Sequence, residues 1–206
     1  MSNRKYISEQ FTPSFEHIDL NSINIAIQNQ EEIFQNMFNS SKTEGPYLVV
    51  WTKLIKSDIA KKIRITFQGG EDAYFCFKAF LMTQQLTVID NIPLYYYVVR
   101  KTSESNSAYN FNHYMQLVVY FKMEKDTYKN NYDLYHYVSL KTYKKILCIR
   151  YDSRKSDLEQ ETKRLIKNEF PDFQKRFWKC KEISFLEKIE MSVLYYLPFT
   201  YKIIRR

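Results

Sequence analysis

Apolar positions change their spacing several times along the chain, and each change marks an element. In the first 46 residues, rich in Asn, Gln, Ser and Glu, only Ile33, Phe34, Met37 and Phe38 form a one-sided stripe. That stripe predicts a helix over about Asn29 to Met37. A short strand is expected at Met1 to Ile7, and Gly45-Pro46 closes the segment as a turn. Tyr47-Leu48-Val49-Val50-Trp51 is a compact apolar run, read as a buried strand or loop entry. A short helix capped by Ser57 or Asp58 follows it. Ile63-Arg64-Ile65-Thr66-Phe67 alternates with period two, as a half-buried strand does. It leads to Gly69-Gly70-Glu71-Asp72, where two of the three glycines stand before two carboxylates. Ala73, Phe77 and Phe80 then recur at helical spacing with Tyr74, Phe75 and Leu81 between them, which predicts a helix from Asp72 to about Gln84, buried on most sides. Strands are expected at Leu86 to Asp90 and, after Asn91-Ile92-Pro93, at Leu94 to Arg100.

From Ala108 the character changes, with no glycine and only Pro171 and Pro198 as breakers. Asn106 to Lys122 reads as one helix. Tyr128, Tyr132, Tyr135, Ser139 and Thr142 recur at helical spacing, so Asp126 to about Arg150 reads as one long amphipathic helix. Ser156-Asp157-Leu158-Glu159 has the Ser-x-x-Glu form of a capping box and opens a charged helix. Pro171 is expected to separate it from a last helical piece running toward Tyr196. The organisation predicted is an α/β part over residues 1–107, followed by a helical extension over residues 108–206.

Composition adds constraints. A hydrophobic content of 45% supports a globular core. No stretch reaches the roughly 18–20 apolar residues of a membrane span, and Met1-Ser2-Asn3-Arg4-Lys5 leads into no apolar signal region, so a cytoplasmic location is expected. Cys76, Cys148 and Cys180 are odd in number and far apart, as reduced thiols are. His17, His113 and His136 have no metal-ligand spacing. The net charge of +8 favours a nucleic acid, an anionic lipid or a phosphate-bearing substrate without choosing among them. Eighteen tyrosines offer faces for stacking on sugars or bases, although most must serve ordinary packing.

The candidate chemistry centres on Asp72. Glycines free the backbone to turn, and an acid in the first helical turn is favoured by the exposed amides there. Such an acid reads first as a helix cap, and equally sits where a fixed base can act. Three stretches in order then carry a resemblance: Trp51-Thr52-Lys53-Leu54-Ile55-Lys56, Glu71-Asp72-Ala73-Tyr74-Phe75, and Pro93-Leu94-Tyr95-Tyr96-Tyr97 followed by Arg100 and Ser103. Together they resemble the C-terminal half of the bacterial family 2 glycosyltransferases that build capsular and exopolysaccharides. The resemblance covers about Tyr47 to Ser105. It departs from the family pattern at Thr52, where Asn is usual, and at Val98, where a second basic residue is usual.

The resemblance implies a partial A-type glycosyltransferase fold, a mixed sheet with flanking helices. It makes Asp72 the general base of an inverting displacement, with Glu71 steering it or binding the acceptor. Trp51 would stack on a sugar ring, Lys53 would touch acceptor or diphosphate, and Arg100 and Ser103 would contact the diphosphate. A complete family member uses Mg²⁺ or Mn²⁺ on an Asp-x-Asp pair, which this sequence does not contain; Asp157-Leu158-Glu159 is the nearest look-alike, and residues two apart on a helix do not share a face. The metal and donor half are therefore expected to lie N-terminal to Met1 in a longer enzyme. The implied partners are a nucleotide-sugar donor, a glycan or lipid-linked acceptor, and a partner chain or second copy covering an exposed edge. The segment Phe185 to Arg206 mixes Leu186, Ile189, Val193 and Tyr196 with Lys188, Lys202, Arg205 and Arg206, which suits either an anionic membrane at the inner cell surface or packing on the domain. A nucleic-acid module is disfavoured, because no zinc, helix-turn-helix or RNA-recognition signature accompanies the basic and aromatic residues.

Overall fold

The fold is described from a computed structural model, which places residues 3–7, 23–38, 47–90, 93–98, 109–154 and 156–197. The chain divides into two units, one of Met1–Thr66 and Asp72–Ala108, the other of Phe67–Glu71 and Tyr109–Arg206. Among the described residues it is mostly helical, with two separate two-stranded pairings, a mixed α+β arrangement.

In the first unit, β1 (Asn3–Ile7) pairs parallel with β4 (Pro93–Val98), and β2 (Asn24–Asn29) pairs antiparallel with β3 (Gln85–Asp90). The expected single mixed sheet is thus two pairs among the described residues. Two helices make the core. In α1 (Gln30–Phe38) Ile33, Phe34, Met37 and Phe38 are all buried. In α3 (Glu71–Leu81) Tyr74, Cys76, Phe77, Ala79 and Phe80 are buried, and Phe34 meets Phe77 edge-on at 5.9 Å. A short helix, α2 (Ser57–Lys62), lies between them in sequence.

Several local expectations are corrected. Val50–Thr52 is a 3₁₀ turn, not a strand. Ser57 is the first helical residue of α2 and neither it nor Asp58 caps it; Lys56 stands at that position with no side-chain bond. Ile63 to Phe67 has no strand structure. β2 was hidden in the polar N-terminal segment because its outward residues are the isoleucines, Ile25 and Ile27 being exposed, while Ala26 and Gln28 turn inward. The C-terminus of α3 is held by side chains, since Gln30 Nε2 donates to the carbonyls of Phe80 at 3.1 Å and Leu81 at 3.2 Å and Thr83 Oγ1 to that of Ala79 at 2.8 Å; the Gln30 side chain comes from α1. That amide satisfies acceptors a helix end otherwise leaves open.

The second unit contains α4 (Phe111–Asn130), α5 (Tyr135–Asp152), α6 (Glu159–Lys179) and α7 (Phe185–Tyr196). The long helix expected from Asp126 is two helices: α4 ends at Asn130, a 3₁₀ turn spans Tyr132–Leu134, and α5 starts at Tyr135. The tyrosine spacing survives the turn because Tyr128, Tyr132 and Tyr135 cluster there, with centroids 5.1 to 5.7 Å apart. Pro171 lies inside α6 and does not divide it. A mid-helix proline costs about 3 kcal/mol, but this one is exposed while Phe170, Phe173 and Phe177 are buried against Tyr143 of α5 at 5.5, 5.5 and 4.8 Å. Burying each such ring is worth roughly 1.5–3 kcal/mol, which outweighs the lost helix bond. The capping box expected at Ser156 does not form, because the Ser156 hydroxyl donates to the Ser153 carbonyl at 2.6 Å. Capping boxes occur instead at Asn110 with His113 and at Ser184 with Glu187.

Candidate functional site

The site is built on the first turns of α3. Gly69 and Gly70 have φ of +89° and +74°, a left-handed backbone that only glycine adopts without strain. Both also pass close to α4, where a Cβ on Gly69 would stand 2.7 Å from Met115 Cβ and one on Gly70 would stand 3.0 Å from Val119 Cγ2. The pair therefore lets the chain turn against α4 and start α3 at Glu71. Glu71 is the first helical residue and exposed, and Asp72 is the second and half-buried.

Asp72, Cys76 and Phe80 are spaced by four and lie along one face of α3. The turn carrying Trp51 and Lys53 comes to this face. Lys53 stands just after the 3₁₀ turn, where its ammonium donates to the carbonyl of Val49 and to Thr52 Oγ1 at 3.3 Å. The same nitrogen lies 5.8 Å from the centre of the Phe80 ring, one turn along the face from the buried Cys76 thiol. Burial pushes that thiol up to about 11; Lys53 pulls it down and the Asp72 carboxylate pushes it further up. Asp72 and Lys53 thus act on one buried sulfur from two motifs distant in sequence. Trp51 is half-buried on the turn, and Leu54 beside Lys53 is fully exposed. Arg100 and Ser103 lie outside the described residues, as do the side chains of Tyr95, Tyr96 and Tyr97.

This geometry fixes an acid beside an ammonium on an apolar helix face, with an aromatic residue on the adjoining turn. It can receive a proton from a hydroxyl brought to Asp72 and hold an anionic or hydroxylated ligand near Lys53. Among the described residues no three His, Cys, Asp or Glu come together. No helix among the described residues is long and apolar enough to cross a membrane.

Sequence reasoning left two features out. Cys76 was assigned no chemistry, yet its place four residues after Asp72 puts it between Asp72 and Phe80 on the face Lys53 reaches. The second feature is in the helical unit, where Glu124 is fully buried and accepts from Arg176 at 2.7 Å (Nε) and 2.6 Å (Nη2), and from the Tyr135 hydroxyl at 2.7 Å. Burial and the Glu124 carboxylate hold the Tyr135 hydroxyl far above its ordinary range, and the Glu124 hydrogen bonds hold Arg176 more firmly protonated. An acid on the apolar stripe of Leu117, Tyr120 and Phe121 was the available signal. A groove of about 640 Å³ opens beside it, lined by Phe121, Lys122, Lys125, Tyr128, Lys129 and Arg176 among others. Its cations are largely answered by Asp126, Glu169 and Glu124, with Lys125 and Glu169 paired at 2.6 Å.

Compared with models of protein families, with curated proteins and with solved structures, the chain finds no match.

Proposed function

We propose that the chain forms the acceptor side of an inverting glycosyltransferase of the family 2 type, acting in surface polysaccharide synthesis at the cytoplasmic face of the cell membrane. Asp72 is the general base. Its carboxylate takes the proton of an acceptor hydroxyl while that oxygen bonds to the anomeric carbon of a nucleotide sugar. The bond from that carbon to the diphosphate breaks on the opposite face, and the electron pair leaves with the diphosphate. Glu71 steers Asp72 or binds the acceptor, Trp51 stacks on a sugar ring, Lys53 touches acceptor or diphosphate, and Arg100 and Ser103 contact the diphosphate.

The observation that supports this reading is that Lys53 lies 5.8 Å from the Phe80 ring, on the face of α3 that also carries Asp72 and Cys76. The residue types there, an acid and an ammonium on the face and an indole on the adjoining turn, are those that bind a sugar and deprotonate its hydroxyl.

The test is calorimetric titration with UDP and GDP sugars plus Mn²⁺, and a transfer assay of wild-type chain and Asp72→Asn. Transfer that falls about 10²–10⁴-fold in the variant, the usual contribution of a general base, supports the proposal. Transfer that continues unchanged removes Asp72 from the reaction. Neither binding nor transfer with any donor makes the chain an acceptor-side fragment that needs its donor half, or a pseudoenzyme.

A further inference from the structure

α7 is apolar on two opposite sides. Met191, Leu194 and the stem of Lys188 are buried on one, with Lys188 Nζ donating to the Cys180 carbonyl at 2.5 Å and Tyr195 stacked on Phe170 at 3.8 Å. Lys188, grouped with the basic residues of this segment in the sequence, is therefore not part of the solvent face. On the other side Phe185, Leu186, Ile189, Val193, Tyr196 and Leu197 are between 38% and 77% exposed. At 3.6 residues per turn these six fall in one arc of roughly 120°, with no polar residue inside it. Trp178, near the end of α6, meets Phe185 edge-on at 6.2 Å and is itself exposed, which widens the patch. Single exposed apolar residues are ordinary, but a continuous patch of this size marks an interaction surface. A helix apolar nearly all round belongs in an interior.

We propose that this face is covered by the same face of a second copy of the chain, packed antiparallel about a two-fold axis beside Met191. Around that axis the pattern is self-complementary: Ile189 opposes Val193 of the other copy, Leu186 opposes Tyr196 and Phe185 opposes Leu197. From the ~150–250 Å² that an aromatic side chain buries, the exposed parts of the patch come to roughly 700 Å² per chain. An isologous pair then removes about 1,400 Å², inside the roughly 1,200–2,000 Å² of stable interfaces. Charge argues the same way. The exposed arc of α7 carries no cation and Glu190 borders it, which disfavours an anionic lipid surface there. Lys179 and Lys181, exposed just before α7, come beside the C-terminal carbonyls of the antiparallel partner helix, which favour cations.

The experiment is sedimentation velocity on the full chain and on the double variant Leu186→Glu/Ile189→Glu, at concentrations up to about 100 µM, where a micromolar pair is saturated. Far-ultraviolet circular dichroism checks that the variant keeps its helices, as it should with both positions exposed. The expected result is a wild-type dimer, undiminished by added salt, and a variant monomeric throughout, its affinity lower by at least about 100-fold. A wild-type monomer at the highest concentration overturns the proposal, and so does a dimer that survives the double substitution. A wild-type monomer that pellets with phosphatidylserine vesicles, while the variant does not, assigns the face to lipid instead.

Discussion

Replacing each glycine before α3 by alanine perturbs the backbone at its most constrained point, with consequences that differ for two adjacent residues. Both positions have positive φ, so a Cβ costs about 1–2 kcal/mol from conformation alone. At Gly69 the new carbon also stands 2.7 Å from Met115 Cβ and 3.3 Å from Asn112 Oδ1. Met115 Cβ moves only with the α4 backbone, so overpacking adds roughly 1–3 kcal/mol, for a total of about 2–5 kcal/mol. At Gly70 the nearest atom is Val119 Cγ2 at 3.0 Å, a side-chain methyl that can be removed. Val119→Ala should therefore rescue part of Gly70→Ala, with a coupling of about 0.5–3 kcal/mol. Met115→Ala keeps its Cβ and should not rescue Gly69→Ala. The assay is urea unfolding in a Trp51→Phe background, where Trp178, the other of the two tryptophans, reports the helical unit alone. A Gly69→Ala protein within about 0.5 kcal/mol of its parent, the range of inert surface changes, would refute the reasoning. Equal rescue at both positions would refute the steric half of it.

Removing the guanidinium in Arg176→Leu leaves the buried Glu124 carboxylate with only the Tyr135 hydroxyl and should cost about 3–5 kcal/mol in urea unfolding. Glu124→Leu/Arg176→Leu should recover most of that loss, whereas Arg176→Lys should recover little because lysine lacks the two-pronged fork; a double variant as unstable as the single one would contradict this. His113 is held below its ordinary range by burial first and Lys145 second, with Asp152 opposing. For a histidine shifted down, the unfolded chain binds more protons, so its contribution is present above the ordinary value of about 6.5 and lost as pH falls through the lowered folded value. Its Nδ1 lies 3.3 Å from the Asn110 N and 2.9 Å from Asn110 Oδ1, so the ring takes part in the cap of α4. The urea midpoint should therefore drop between about pH 7 and pH 5, and drop less in His113→Gln, which keeps an acceptor for the cap; an identical pH profile in the variant would count against it.

What could be read along the chain was whatever depends on neighbours in sequence. The one-sided stripe of α1, the glycine pair and acids that open α3, and the β-rich runs of β3 and β4 were legible because spacing and turn chemistry act within a few residues. Asp72 was legible for the same reason. Tertiary structure decided the rest. Pro171 stays inside α6 because three phenylalanines on the opposite face are buried against Tyr143, contacts no local rule contains. β2 faces its isoleucines outward against its own hydrophobic pattern because its pairing with β3 sets which side turns in. Ser156 satisfies a neighbouring carbonyl in preference to a helix end. The meeting of Lys53 with Asp72 at Cys76, and of Arg176 with Glu124, joins residues far apart in the chain. By itself the sequence determined where α1 and α3 begin and which acid stands at the mouth of α3. Only the folded chain decided which charges share a site, because electrostatic and packing energies depend on distance in space, and local preferences of a kcal/mol or so yield to the larger energies of burial.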